Sequence, residues 1–292
     1  MRAALIVNPV KADDVDQLRA LVEKRSAHLS WDEPLWLETT PEDPGTGMAQ
    51  RAVAERVDVV LCCGGDGTVN AVVTGLAGRG VPLGLLPCGT GNLLARNLHL
   101  PLSLEDAVDL ALTGAERTLD LGRVGERRFV VMAGIGLDAA MMRDVDERLK
   151  TRVGWLAYLA PLVRHLRDRP ARVGLRLDDG PRLIRRARAV IVGNVGRLQG
   201  GLALLPDADP ADGLLDVVVG SPRTAAEWLR LVARLVSRAS RGDAPVEWFR
   251  AARVEIRAAE PITAQLDGEI LGAVTSLVIE VDPAALTVKV PR

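Results

Sequence analysis

The sequence predicts an N-terminal α/β domain on a parallel sheet, followed by a β-rich domain with inserted helices. Three observations predict it. Short, almost wholly apolar runs at residues 3–7, 35–38, 57–63 and 82–87 alternate with helical patterns at 15–28, 48–56, 68–77 and 104–112. Glycine-rich turns follow two of those runs directly. After residue 118 the strand-like runs crowd together, with only two helical interruptions.

The apolar runs of the first half lack the in–out alternation of a half-exposed strand. Such runs fit strands covered on both faces by crossover helices. Asp58-Val59-Val60-Leu61-Cys62-Cys63 is the clearest central strand. In the second half, strand patterns fall at 117–124, 128–133, 173–177, 187–192, 214–219, 254–258, 262–266, 277–281 and 287–290, with helices expected at 151–167 and 225–239. The domains expected are 1–120 and 121–292.

With 48% hydrophobic and 26% charged residues, the 292-residue chain is globular. A formal net charge of −1 gives no general drive toward nucleic acid. The N-terminal apolar stretch is too short for a signal peptide, and no run reaches the roughly 20 residues of a spanning helix. The three cysteines, Cys62, Cys63 and Cys88, show no disulfide-framework spacing. They imply free thiols in a reducing, cytoplasmic compartment, and peripheral attachment at the inner membrane face is compatible with this. The scattered histidines suggest no zinc site.

The chemistry is expected in the turns. The run at 57–63 enters Gly64-Gly65-Asp66-Gly67-Thr68 and then a helix. Glycines let the backbone turn tightly and approach a ligand, and N–H groups at a helix start attract phosphate. Asp66 would repel a bare polyphosphate, so its carboxylate points to Mg²⁺. Thr68 is placed to cap the helix or to bond a phosphate oxygen. Cys88-Gly89-Thr90-Gly91-Asn92 repeats the arrangement after 82–87, and Asn8-Pro9 ends the first strand. Adjacent parallel strands open on one crevice, so the three turns would flank one nucleotide. Neither a P-loop motif nor the dinucleotide fingerprint is present. Asp267-Gly268 is a good hairpin-turn dipeptide.

In order and spacing these blocks resemble the diacylglycerol kinase catalytic-domain family of soluble bacterial lipid kinases, related to sphingosine and ceramide kinases. The resemblance includes Val7-Asn8-Pro9, the two glycine loops with Asn70, Leu119-Asp120-Leu121-Gly122 and Ala133-Gly134-Ile135-Gly136-Leu137-Asp138. It continues through Val192-Gly193-Asn194, the segment from Ala211 to Val217, and Leu266-Asp267-Gly268-Glu269. It implies an NAD kinase/diacylglycerol kinase-like fold and transfer of the γ-phosphoryl group of ATP to a lipid hydroxyl, with ATP and lipid meeting in a cleft. The nucleotide contacts it implies are Asn8, Pro9, Thr39 or Thr40, Gly64, Gly65, Asp66, Gly67, Thr68, Asn70, Gly89, Thr90 and Asn92. It implies Glu269 as proton acceptor, with Asp267 the other candidate and Asp66 in a catalytic role. It also implies a Mg²⁺ held by Asp212 with groups of Asp209 and Leu214.

The partners implied are ATP and a lipid at a membrane surface, with a homodimer open. Leu93 departs from the pattern, because many relatives carry Asp there; that leaves the lipid's identity open. The competing readings are a kinase for NAD or a soluble polyol, and a non-catalytic nucleotide or lipid sensor. The apolar segment at 153–163 reads first as core packing and the Arg-lined helix at 225–239 first as a solvated face, and both are also candidate lipid-facing elements.

Overall fold

The computed structural model describes residues 1–12, 14–136, 170–198, 203–221, 227 and 246–292. The expected helices at 151–167 and 225–239 lie outside the described residues, Glu227 excepted, as do Leu137 and Asp138. The chain divides into two compact units: Met1–Leu121 with Pro283–Arg292, and Gly122–Asp282.

The first unit is α/β. Strands β1 (Ala3–Val7), β2 (Leu35–Glu38), β3 (Val59–Gly64) and β4 (Leu83–Pro87) pair in parallel in the order β2-β1-β3-β4. Every residue of β1 and β3 is buried, as the unbroken apolar runs require. Helix α1 (Val15–His28) starts where Asp14 accepts the Gln17 N–H, a side-chain cap. Helices α2 (Thr46–Ala54), α3 (Asp66–Leu76), α4 (Leu93–Asn97) and α5 (Leu104–Thr113) follow, and Ser103 caps the last. Leu18 and Val22 of α1 and Val108 and Leu112 of α5 pack with Leu5, Leu61 and Leu86 of the strands.

The second unit is β-rich and antiparallel. Its strands are β5 (Ala115–Val124), entering from the first unit, then β6 (Arg127–Phe129), β7 (Met132–Gly136), β8 (Ala171–Leu177), β9 (Leu183–Ala187), β10 (Ala189–Gly193), β11 (Leu215–Gly220), β12 (Val246–Ala251), β13 (Arg253–Leu266) and β14 (Glu269–Val290). The order is β12-β11-β10-β7-β13-β14, with β8 and β9 extending from the first half of β13. Phe129, Leu175, Val192, Val217 and Ile279 lie in its core. The end of β14 belongs to the first unit, where Val288 pairs in parallel with Leu83 of β4.

Three strand expectations are corrected. The run at 128–133 is two strands, because the Val130 and Val131 N–H groups are diverted to the Asp267 carboxylate. The runs at 254–258 and 262–266 are one strand, with Pro261 inside the register shift between Arg257 and Ile262. The runs at 277–281 and 287–290 are likewise one strand, crossing between units at Pro283. Proline marks a missing ladder donor in both cases, but an irregularity absorbs it without ending the strand.

Candidate active site

In the first unit the parallel order puts the C-terminal ends of β1 to β4 along one sheet edge, where ligands of open α/β sheets bind. Asn8 stands at the end of β1. Its backbone N–H donates to the Cys63 carbonyl at 2.8 Å, and its Nδ2 donates to Thr68 Oγ1 at 3.1 Å. Its Oδ1 accepts from Val10 N–H at 3.1 Å, an Asx turn that carries the chain through Pro9. At the end of β2, Thr39 is buried and donates its N–H to Val7. Thr40 is exposed, and its hydroxyl accepts the Asp43 N–H at 3.2 Å.

The loop after β3 differs from its sequence reading in one respect. Helix α3 begins at Asp66, with Gly65 at the cap position and no side-chain cap. Thr68 therefore lies in the first turn, buried, with its hydroxyl taken by Asn8. A Cβ on Gly65 or Gly67 would meet no protein atom within 4 Å, so these glycines leave the loop's outer surface clear for a ligand. Asn70 Oδ1 is buried without a partner, an acceptor suited to a bound group.

Asp66 reaches across to the second loop, where its Oδ1 accepts the Leu93 N–H at 2.7 Å. Burial pushes its carboxyl above the usual carboxylate range; the N–H groups of Leu93, Asn92 and Asp66 itself and the Arg96 charge oppose that shift.

The second loop is tied internally. Asn92 Oδ1 accepts the Gly89 N–H at 3.0 Å, and Asn92 Nδ2 donates to the Gly89 carbonyl at 2.7 Å. Asn92 has φ 48°, the left-handed region that Asn tolerates. Gly89 lies so close to the first loop that a Cβ there would sit 2.7 Å from Gly65 Cα. Thr90 is exposed at the tip.

The expectation of free thiols is corrected here. Cys63, within β3, and Cys88, the residue after β4, form a disulfide with their Cα atoms 5.6 Å apart. Chain spacing does not show this pair, because it is the parallel pairing of β3 with β4 that makes the two residues neighbours. Cys62 stays free and buried, its thiol pushed up to about 12 by burial.

In the second unit, Asp267 and Gly268 form the two-residue turn between β13 and β14, with φ 45° and 87°. Positive φ at both positions matches the hairpin expectation. The Asp267 carboxylate accepts three N–H groups, from Val130 at 2.7 Å, Val131 at 2.9 Å and Met132 at 2.8 Å. Such a carboxylate is committed to holding the turn, which leaves Glu269 as the candidate base. Glu269 is 62% exposed, and its Oε1 accepts from Arg127 at 2.5 Å. Sequence reading missed Arg127: the pair spans 142 residues and is brought together only by the sheet.

The groups suggested for Mg²⁺ are differently engaged. Asp212 Oδ1 accepts the Leu214 N–H at 3.0 Å, and its Oδ2 is paired with the Arg250 guanidinium. Asp209 Oδ1 accepts the Ala211 N–H at 3.2 Å. Arg250 also lies 3.6 Å from Asp216, which burial and then the Asp207 charge push up to about 6. A guanidinium already neutralises the carboxylate that a dication would need. Among the described residues no group of three or more His, Cys, Asp or Glu is arranged to hold a metal. The residues therefore do not fit a Mg²⁺ at Asp212 with Arg250 in place.

Comparison with known proteins places this geometry in a family. Residues 2–124 match the model of the diacylglycerol kinase catalytic domain, and residues 130–290 match the YegS C-terminal NAD kinase β-sandwich-like domain. A diacylglycerol kinase of Mycobacterium tuberculosis (strain ATCC 25618 / H37Rv) is 33% identical over 248 residues, 82% of this chain and 79% of that protein. A diacylglycerol kinase of Bacillus subtilis (strain 168) is 29% identical over 276 residues, 93% of this chain and 90% of that protein. The crystal structure of a diacylglycerol kinase from Bacillus anthracis str. Sterne shares the fold, with TM-score 0.75 and 21% identity over 99% of this chain and 96% of that one. An NAD kinase from Archaeoglobus fulgidus, crystallised with ATP, shares it more distantly, with TM-score 0.55 and 14% identity over 99% of this chain and 93% of that one. The chain belongs to the diacylglycerol kinase catalytic-domain family, phosphotransferases with an alcohol group as acceptor.

Proposed function

We propose that the chain transfers the γ-phosphoryl group of ATP to a hydroxyl of a diacylglycerol-like or sphingoid-like lipid at a membrane surface. The observation that carries the ATP half is the joining of two glycine loops through Asp66 and Leu93, at a sheet edge that also presents Asn8, Thr40 and the unpaired Asn70 Oδ1. Family membership carries the lipid half.

Phosphoryl transfer depends on positioning and on neutralising oxygens more than on covalent chemistry. Backbone N–H groups of Gly64, Gly65 and Gly67, with the Thr68, Asn70 and Thr90 side chains, would position the polyphosphate, while Asn92, bonded to Gly89 through both ends of its amide, would hold the second loop in shape. Magnesium arriving with ATP would neutralise its oxygens, and the Asp66 carboxylate, the acid of the loop, would hold that ion. Glu269 would accept the hydroxyl proton. An ordinary Glu is far too weak a base to remove that proton beforehand, so transfer comes late. Asp267 fixes the turn that presents Glu269. Among the described residues no helix is long and apolar enough to cross a membrane.

Labelled ATP offered with a lipid panel, with NAD and with soluble polyols tests the reading. Label on a lipid alone is expected. Label on NAD or on a polyol, or ATP binding without any transfer, would overturn it.

A further inference from the structure

We infer that the Cys63–Cys88 disulfide is a thiol–disulfide exchange site through which a dithiol reductant sets the affinity of the two loops for ATP. The inference rests on the reading that those loops bind ATP.

The bond sits at the foot of both loops. In the β3–β4 ladder Cys63 pairs with Leu86 and Gly64 with Pro87, so Cys88 is the first residue beyond the pairing. One residue further along each loop, Gly89 lies so close to Gly65 that a Cβ on it would sit 2.7 Å from the Gly65 Cα. Beyond the disulfide, hydrogen bonds tie the second loop: Leu93 N–H to Asp66, Gly89 N–H to Asn92, and Arg96 to the Gly91 carbonyl. The disulfide therefore fixes the spacing of the two phosphate-facing turns before any ligand arrives.

The two sulfurs are unequally reachable. Cys63 is fully buried, whereas Cys88 is half-buried, so attack falls on Cys88 Sγ. A reductant thiolate attacks it, the S–S bond breaks, and Cys63 leaves with the electron pair and takes a proton. The reductant's second thiolate then attacks the mixed disulfide and releases Cys88, which takes the second proton. The enzyme gains two electrons and two protons, and the reductant ends as a disulfide. Cys62 does not compete. It neighbours Cys63 in a strand and so faces the other side of the sheet, and its buried thiol resists ionisation.

Reduction leaves the fold standing and frees the second loop. ATP must then order a turn that the oxidised chain holds ready, so its binding weakens by roughly three- to tenfold.

The experiment measures binding of ATP with Mg²⁺ to the full chain by equilibrium dialysis, in air-oxidised, dithiothreitol-reduced and reoxidised samples. Alkylation under denaturing conditions followed by mass spectrometry reports the thiol state. One labelled cysteine is expected in the oxidised chain and three in the reduced chain. The dissociation constant should rise on reduction and return on reoxidation. Cys88→Ser should bind at the weaker value with or without reductant, and Cys62→Ser should keep the response. Equal affinity in samples shown to differ in thiol state overturns the inference, as does labelling of all three cysteines after oxidation. Absence of ATP binding in both forms removes the nucleotide reading and this inference with it, whereas ATP binding that ignores the thiol state removes this inference alone.

Discussion

Asp66 Oδ1 accepts the backbone N–H of Leu93 at 2.7 Å, so the acid of the first glycine loop closes the second. Asp66→Asn keeps an oxygen for that N–H and removes the ionisable group. Its kcat should fall at least as far as that of Glu269→Gln, for which the loss of a general base costs roughly 10²–10⁴-fold. Steady-state kinetics on both variants decides it, and a fully active Asp66→Asn would remove the acid from the mechanism.

The same variant has a pH signature in stability. The folded-state pKa of Asp66 is raised, chiefly by burial. Its contribution is thus fully present below the unfolded pKa and is lost as pH rises through the folded one. Asn cannot ionise, so Asp66→Asn should gain stability relative to the parent as pH rises from about 4 toward 7. Urea melts without nucleotide or Mg²⁺ follow this; a difference that shrinks with rising pH contradicts it.

Asp267 and Glu269 should separate cleanly. Asn at 267 keeps one acceptor oxygen and turns an amide donor toward a backbone N–H that now finds a carboxylate oxygen. The expected loss is about 1–3 kcal/mol of stability, seen as a lower Tm. Gln at 269 replaces an exposed side chain and should leave Tm within a degree or two while turnover collapses. The reverse pattern would exchange their roles.

Gly65→Ala and Gly89→Ala make a second pair. A methyl on Gly65 meets no protein atom, so its cost should fall on ATP affinity with Tm unchanged. A methyl on Gly89 runs into the Gly65 backbone, so it should cost roughly 1–3 kcal/mol of stability, seen as a lower Tm. Thermal melts with and without ATP distinguish them.

Magnesium should not stabilise the nucleotide-free chain, because Arg250 already stands on Asp212. Arg250→Gln removes that charge, and the Asp212 and Asp216 carboxylates then have room for a dication. Differential scanning fluorimetry should show a Mg²⁺-dependent rise in Tm in the variant and none in the parent.

Much of the first unit is legible in the sequence. An unbroken apolar run such as Val59 to Cys63 can only be covered on both faces, and glycines directly after it mark a turn that must approach something. The turn at Asp267-Gly268 is legible for the same local reason. What sequence hides is pairing across distance. Arg127 with Glu269, Arg250 with Asp212 and Cys63 with Cys88 are set by which strands lie side by side. Asp267 is half-legible: the dipeptide gives the turn, but the three amides it collects arrive from a segment far upstream. Thr68 shows the limit of motif reading, since a three-residue shift of the cap, from Thr68 to Gly65, moves it from cap to interior.

The pairing of Val288 with Leu83 has a consequence for synthesis of the chain. As the chain leaves the ribosome, β4 emerges long before its partner, and all of Gly122–Asp282 must be made in between. Until then one flank of β4 lacks its neighbour, and Leu83, buried in the finished protein, lacks its pairing with Val288. The α/β unit therefore matures after translation of the β-rich unit, and a nascent chain stalled before Pro283 would offer a chaperone an apolar strand edge.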